Sequence, residues 1–184
     1  TDYTVVPAVV YDLSVGAGGA GGSSVNGVDG TDSVWNVNAE GGGITFTALG
    51  GAKGSATANN AYDGGSGGGA KYSVTNPNNG QATQTSPTGA IGYGNDGGQS
   101  SESGTYGGGG GGGAGGAGAG DQTPSGKGGD GGAGRLFSSF TSYGASGYFG
   151  GGGGGGAYPD SSSSTRGLGG SGGGGAGASQ LAPG

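Results

Sequence analysis

The sequence contains no cysteine, no histidine and no methionine. Without thiols there is no disulfide framework and no thiolate metal site, and without imidazoles there is no histidine acid, base or metal ligand. Charged residues make up only 9% of the chain, about a third of the usual share. Five Lys or Arg against eleven Asp or Glu give a net charge of −6, scattered along the chain. The clustered cations that neutralise phosphates are missing, which excludes a nucleic-acid partner. No apolar run approaches the length of a membrane span, so no membrane insertion is expected. Apolar residues amount to 28%, and much of that is alanine.

In their place stand 60 glycines among 184 residues. They include two unbroken runs, Gly107 to Gly113 and Gly150 to Gly156, and shorter ones at Gly41 to Gly43, Gly67 to Gly69 and Gly172 to Gly175. Glycine loses more freedom on ordering than any other residue, roughly 1 to 2 kcal/mol per backbone position. Burial of so few apolar side chains cannot offset this in the usual way, and composition alone reads as a flexible linker. The runs nevertheless have an ordered option in the polyproline II conformation, with three residues per turn and no internal hydrogen bonds. Every N–H and C=O then points outward and, where buried, must bond a neighbouring strand. A packed bundle of such polyglycine II helices is the expected state, with disorder or silk-like β-stacking as alternatives. Gly110 and Gly153 are expected to sit inside the bundle, where a branched side chain would intrude. Collagen is excluded, because stretches such as Thr83 to Thr88 and Ser161 to Thr165 break its period and only six prolines are present.

Between the runs lie segments with strand character. Val9, Tyr11, Leu13 and Val15 alternate with Val10, Asp12 and Ser14. The segments 33–39 and 44–49 place Trp35 with Val37, and Ile44 with Phe46 and Ala48, on single faces. These strands predict a small sheet with Tyr11, Leu13, Trp35 and Phe46 in one core. No ten-residue window free of glycine has helical periodicity, so no α-helix is expected. The fold class is therefore mainly β and irregular: a β-strand segment over 1–49 with a glycine-rich turn, then a polyglycine II bundle over 50–184 with polar and aromatic connecting loops. The chain begins at Thr1 without an initiator Met and ends just after a glycine run, and reads as processed or as part of a longer protein.

Motifs for chemistry fail. Gly126-Lys127 is followed by Gly128 where a phosphate-binding loop needs Ser or Thr. The segment Asn26 to Asp32 has the oxygen-rich look of a Ca²⁺ loop but lacks a bidentate acid downstream, and a tight turn closed by Asn and Asp side chains is the plainer reading. No serine has a base in a credible motif, so no catalytic residue, metal ligand or cofactor is assigned.

The order of elements carries a resemblance. Tyr11-Asp-Leu-Ser-Val-Gly-Ala-Gly-Gly-Ala-Gly-Gly22, then Asp29-Gly30-Thr31-Asp32-Ser33-Val34-Trp35, then Ile44-Thr-Phe-Thr-Ala-Leu-Gly-Gly51 resembles the glycine-rich domain of bacteriophage tail fibres and tail-tip adhesins. It is more distantly similar to the glycine-rich extracellular region of anaplastic lymphoma kinase-type receptors, whose cysteines this chain lacks. The resemblance implies polyglycine II helices packed against β-strands, at the distal end of a host-recognition fibre on a virion or otherwise outside the cell. Expected partners are sister copies, in a trimeric fibre or an open filament, and a bacterial surface receptor. Recognition would fall to the connecting inserts, with Asn78, Asn79, Gln81, Gln122, Tyr158, Pro159 and Asp160 as the expected contacts. A subunit of a self-assembling extracellular filament is the alternative, and an ice-binding or matrix protein a third.

Overall fold

A computed structural model describes residues 4–22, 25–36, 44–56, 61–71, 78–87, 89–100, 107–121, 126–157 and 165–178. No α-helix occurs among them. Three short strands, β1 (Leu13–Ser14), β2 (Ser33–Trp35) and β3 (Phe46–Ala48), form an antiparallel sheet in that order. Its register pairs Leu13 with Trp35 and Trp35 with Phe46.

Aromatic stacking holds this sheet. The Trp35 ring lies between Tyr11, at 4.9 Å between centroids, and Phe46, at 5.4 Å. Trp35 itself is half-buried. Leu13 departs from the expected core, since it is 66% exposed. Its strand is two residues long and lies at the sheet edge, and the ring that covers Trp35 is that of Tyr11. The sheet ends at Asn36, which is fully buried with φ +58, a left-handed conformation asparagine adopts more readily than most residues. Its N–H donates to the Asp12 carbonyl at 2.6 Å and its Nδ2 to the Ile44 carbonyl at 2.7 Å, clamping the three strands together.

Glycine-rich extended segments make up most of the remainder, and they bond one another in a three-residue rhythm. Residues 107–114 are the centre. Gly108, Gly111 and Ala114 donate to Gly156, Gly153 and Gly150; Gly109 and Gly112 donate to Ala70 and Gly67; Gly110 and Gly113 donate to Ala119 and Gly116. The Gly108 and Gly111 carbonyls accept from Gly129 and Gly132, and the Gly110 carbonyl accepts from Gly98. One segment thus has five neighbours, reached by successive residues in three directions of donation. That is the bonding a threefold helix without internal hydrogen bonds requires.

Side chains are absent where the backbones close on one another. A Cβ added at Gly109 would strike the Gly98 carbonyl, one at Gly110 the Asp130 carbonyl, and one at Gly155 the Gly108 carbonyl. Gly153 differs from expectation: the nearest atom to an added Cβ is the Gly175 carbonyl oxygen at 3.8 Å, an ordinary contact. The long runs are therefore packed on some sides and open on one.

Carboxylates and amides complete the bonding where glycine carbonyls do not reach. The segment 26–32 is extended and does not form the expected tight turn. Its side chains at every third position accept N–H groups from the facing segment: Asn26 from Ala56, Asp29 from Lys53 and Asp32 from Gly50, each at 2.8 Å. Asp63, Asp96 and Asp130 do the same for Gln81, Ala82 and Leu168, at 2.7, 2.7 and 2.8 Å. The acidic bias of the chain has a structural use here, as a set of acceptors for backbone donors. Lys53 donates from Nζ to the Asp29 carboxylate at 2.8 Å, and this bond, joined by the one from its N–H, holds the Asp29 pKa below the ordinary carboxylate value. Asp130 is likewise held low, first by the Leu168 N–H and then by Lys127.

Candidate functional site

One insert builds a defined structure of its own, the hairpin between the glycine segments 127–134 and 150–157. Strands β4 (Arg135–Leu136) and β5 (Tyr148–Phe149) pair antiparallel, Arg135 with Phe149 and Leu136 with Tyr148. Between them Ser138–Phe140 make a 3₁₀ turn, continued by bonds from the Phe140 N–H to the Phe137 carbonyl and from the Tyr143 N–H to the Phe140 carbonyl. The return to β5 uses positive φ at Gly144, Ser146 and Gly147. A Cβ at Gly147 would meet the Phe137 carbonyl oxygen at 3.0 Å, so both its angle and its surroundings call for glycine.

The base of the hairpin is fixed by rings. Arg135 lies over the Tyr93 ring at 4.9 Å, Tyr93 meets Phe137 edge-on at 6.1 Å, and Phe137 meets Phe149 at 6.2 Å. Phe140 and Tyr143 pack on each other at 6.5 Å and face solvent, 53% and 67% exposed. Phe137, Phe140 and Tyr143 recur at three-residue spacing, which a 3₁₀ geometry brings to one side. Phe140 and Tyr143 were not among the residues expected to touch a receptor. The signal for them was present: Leu136 to Tyr143 is eight residues without glycine and holds three aromatics.

Of the expected contacts, Asn78 and Gln81 are exposed and Asn79 is half-buried. The Asn78 carbonyl accepts from Ala61, the Gln81 N–H donates to Asp63 Oδ1, and the Gln81 carbonyl accepts from Gly64. They run alongside the segment 61–68, bonded to it by backbone. Gln122, Tyr158, Pro159 and Asp160 lie outside the described residues. The described residues that flank them are bonded to neighbouring segments: Asp121 donates to the Gln99 carbonyl, Ala157 to that of Ala178, and the Thr165 carbonyl accepts from Gly128. The hairpin leaves the opposite end of those segments, next to Ala114, which donates to Gly150, and Gly134, which donates to Ser171.

No group of three or more Asp or Glu able to hold a metal occurs among the described residues. What the hairpin offers is ring surface on a fixed base, able to stack on an apolar or sugar face while backbone groups supply hydrogen bonds.

A family profile described as a glycine-rich domain matches residues 1–184. No curated protein matches, and no solved structure does.

Proposed function

We propose, because the chain belongs to the glycine-rich domain family, that it is a non-enzymatic structural and host-recognition domain, the adhesin of a phage tail fibre. The observation that carries this reading is the aromatic hairpin 135–149, whose base is packed ring on ring and which is exposed at Phe140 and Tyr143. Exposed rings on an ordered support bind partners at little entropic cost, and their hot-spot role at interfaces follows from that. The acidic surface and the low charge density direct the choice toward neutral receptor groups, such as sugars or protein loops. Sister copies in a fibre and a bacterial surface receptor are the proposed partners, on a virion tail fibre or otherwise outside the cell.

The test is adsorption. A Phe140→Ala, Tyr143→Ala double variant should keep the thermal unfolding midpoint of the parent within a few degrees and lose at least tenfold in adsorption of the purified domain to host cells. A second exchange, of residues 158–161 for Gly-Ser-Gly-Ser, asks whether the insert carrying Tyr158, Pro159 and Asp160 shares in recognition. Unchanged adsorption in both would end the adhesin reading for these loops. The filament reading draws on a different observation: residues 16–22 bond a single neighbouring segment among the described residues, through Gly16, Ala17 and Ala20. Electron microscopy separates the two, since a fibre tip is a closed oligomer and a filament grows through an open interface.

A further inference from the structure

We propose that the bundle carries a binding groove for one extended, glycine-rich peptide strand supplied by another polypeptide. Residues 107–114 have five neighbours, and their sixth side opens between the segments 64–70 and 150–157. There the surface is a groove of two adjoining stretches, about 730 Å³ and 630 Å³, that share Gly111 and Gly153.

Two independent features point to the occupant. The first is the pattern of unused backbone groups along the groove. The N–H groups of Ser66 and Gly69, and those of Gly153 and Gly156, find no acceptor among the described residues, and the carbonyls of Gly109 and Gly112 find no donor. Each pair is three residues apart, the spacing by which the segments of this molecule bond one another. A strand in the same threefold conformation would meet all three rows in register, donating to one and accepting from two.

The second feature is steric. Most glycines, including Gly69, Gly109, Gly112 and Gly155 in the groove walls, stand where an added Cβ would strike a backbone, but Gly54, Gly111, Gly153 and Gly175 on the groove do not. An added Cβ at Gly111 would come no nearer than 3.5 Å to another atom, at Gly153 no nearer than 3.8 Å, and at Gly54 and Gly175 nothing lies within 4 Å. Side chains there would fill the groove, and their absence leaves room for a backbone. A sugar or apolar ligand would leave the paired rows of donors and acceptors unmatched, at the cost that buried unpaired polar groups carry. The inference is independent of the adhesin reading, since it concerns the flank of the bundle and not its aromatic end.

The probe is a synthetic peptide of seven glycines flanked by two lysines at each end, set against one in which seven prolines replace the glycines. The two have the same charge and a common polyproline II conformation, but proline lacks N–H groups and fills the space around the chain. The glycine peptide should bind, by calorimetry, at least tenfold more tightly than the proline peptide. Amide exchange of Ser66, Gly69, Gly153 and Gly156 should be fast in the free domain and slow at least tenfold on binding. Gly153→Val should leave the unfolding midpoint near that of the parent and weaken the glycine peptide at least tenfold, with Gly153→Ala as the milder variant should valine disturb the fold. Equal binding of both peptides, or none, would overturn the proposal. So would protection of the four amides in the absence of peptide together with a dimer in sedimentation, which would mean that a second copy covers the groove.

Discussion

Single glycines in this molecule are not equivalent, and the difference is geometric. At Gly110 an added Cβ would run into the Asp130 carbonyl, whereas at Gly153 it would meet nothing nearer than 3.8 Å. Gly110→Val should therefore destabilise the domain by about 3 kcal/mol or more, the upper range for overpacking, and Gly153→Val should shift the melting midpoint little. Parallel thermal melts decide it, and equal effects would mean that the two runs are packed alike. Asp29 offers a second residue-level test. Asp29→Ala removes an acceptor from both the N–H and Nζ of Lys53, and on a half-exposed group this should cost about 1 kcal/mol. Asp29→Asn keeps the acceptor for the N–H and should cost less. Both Asp29 and Asp130 are held below the ordinary carboxylate value. Their stabilisation is complete above about pH 4, the unfolded-state value, and is lost as pH falls through the lower folded values. Melting midpoints should stay level from pH 7 to about 5 and fall below about 4; a midpoint that holds to pH 2 would contradict the carboxylate role.

At the scale of elements, the strands and glycine runs are held by different forces. The three-stranded sheet depends on the stack of Tyr11, Trp35 and Phe46. Truncating a buried Trp costs about 3 to 5 kcal/mol, and because Trp35 is half-buried, Trp35→Ala should cost about 2 kcal/mol in a denaturant titration, with native emission between the buried and hydrated wavelengths. Much of this was legible beforehand. The alternation around Leu13, Trp35 and Phe46 places all three strands, and the long glycine runs announce hydrogen-bonded extended segments. The exposure of Leu13 was not legible, because periodicity gives a face but not what lies over it. The reading of 26–32 as a turn followed the Asn-Gly and Asp-Gly pairs, whose turn preference is local, while the bonds formed by Asn26, Asp29 and Asp32 reach a segment more than fifteen residues away. Polarity and turn residues point to the polar inserts as recognition sites, whereas Phe140 and Tyr143 owe their exposure to the hairpin 135–149, which forms only when β4 and β5 pair.

The whole molecule is a lattice of backbones. Its stability rests less on apolar burial than on hydrogen bonds between segments distant in sequence, since the buried apolar side chains among the described residues come down to Ala70. In such a structure the inserts tolerate change more readily than the packed faces of the runs, which suits a fixed support with variable ends. The threefold screw of each run has a further consequence, for the lengths such a chain can take. In residues 127–134 the sequence reads Lys-Gly-Gly-Asp-Gly-Gly-Ala-Gly, and the side chains of Lys127, Asp130 and Ala133 fall on one row while glycines line the other two. Losing Gly132 alone would turn Ala133 by a third of a revolution, into the row where a Cβ strikes the Gly116 carbonyl. Losing Gly131, Gly132 and Ala133 together would remove one turn, about 9 Å of height, and keep every remaining residue in phase. The single deletion should therefore lower the melting midpoint more than the triple one, the reverse of what a flexible tether would give. Viable length changes within a run then come three codons at a time, so that such runs lengthen or shorten in steps of nine nucleotides.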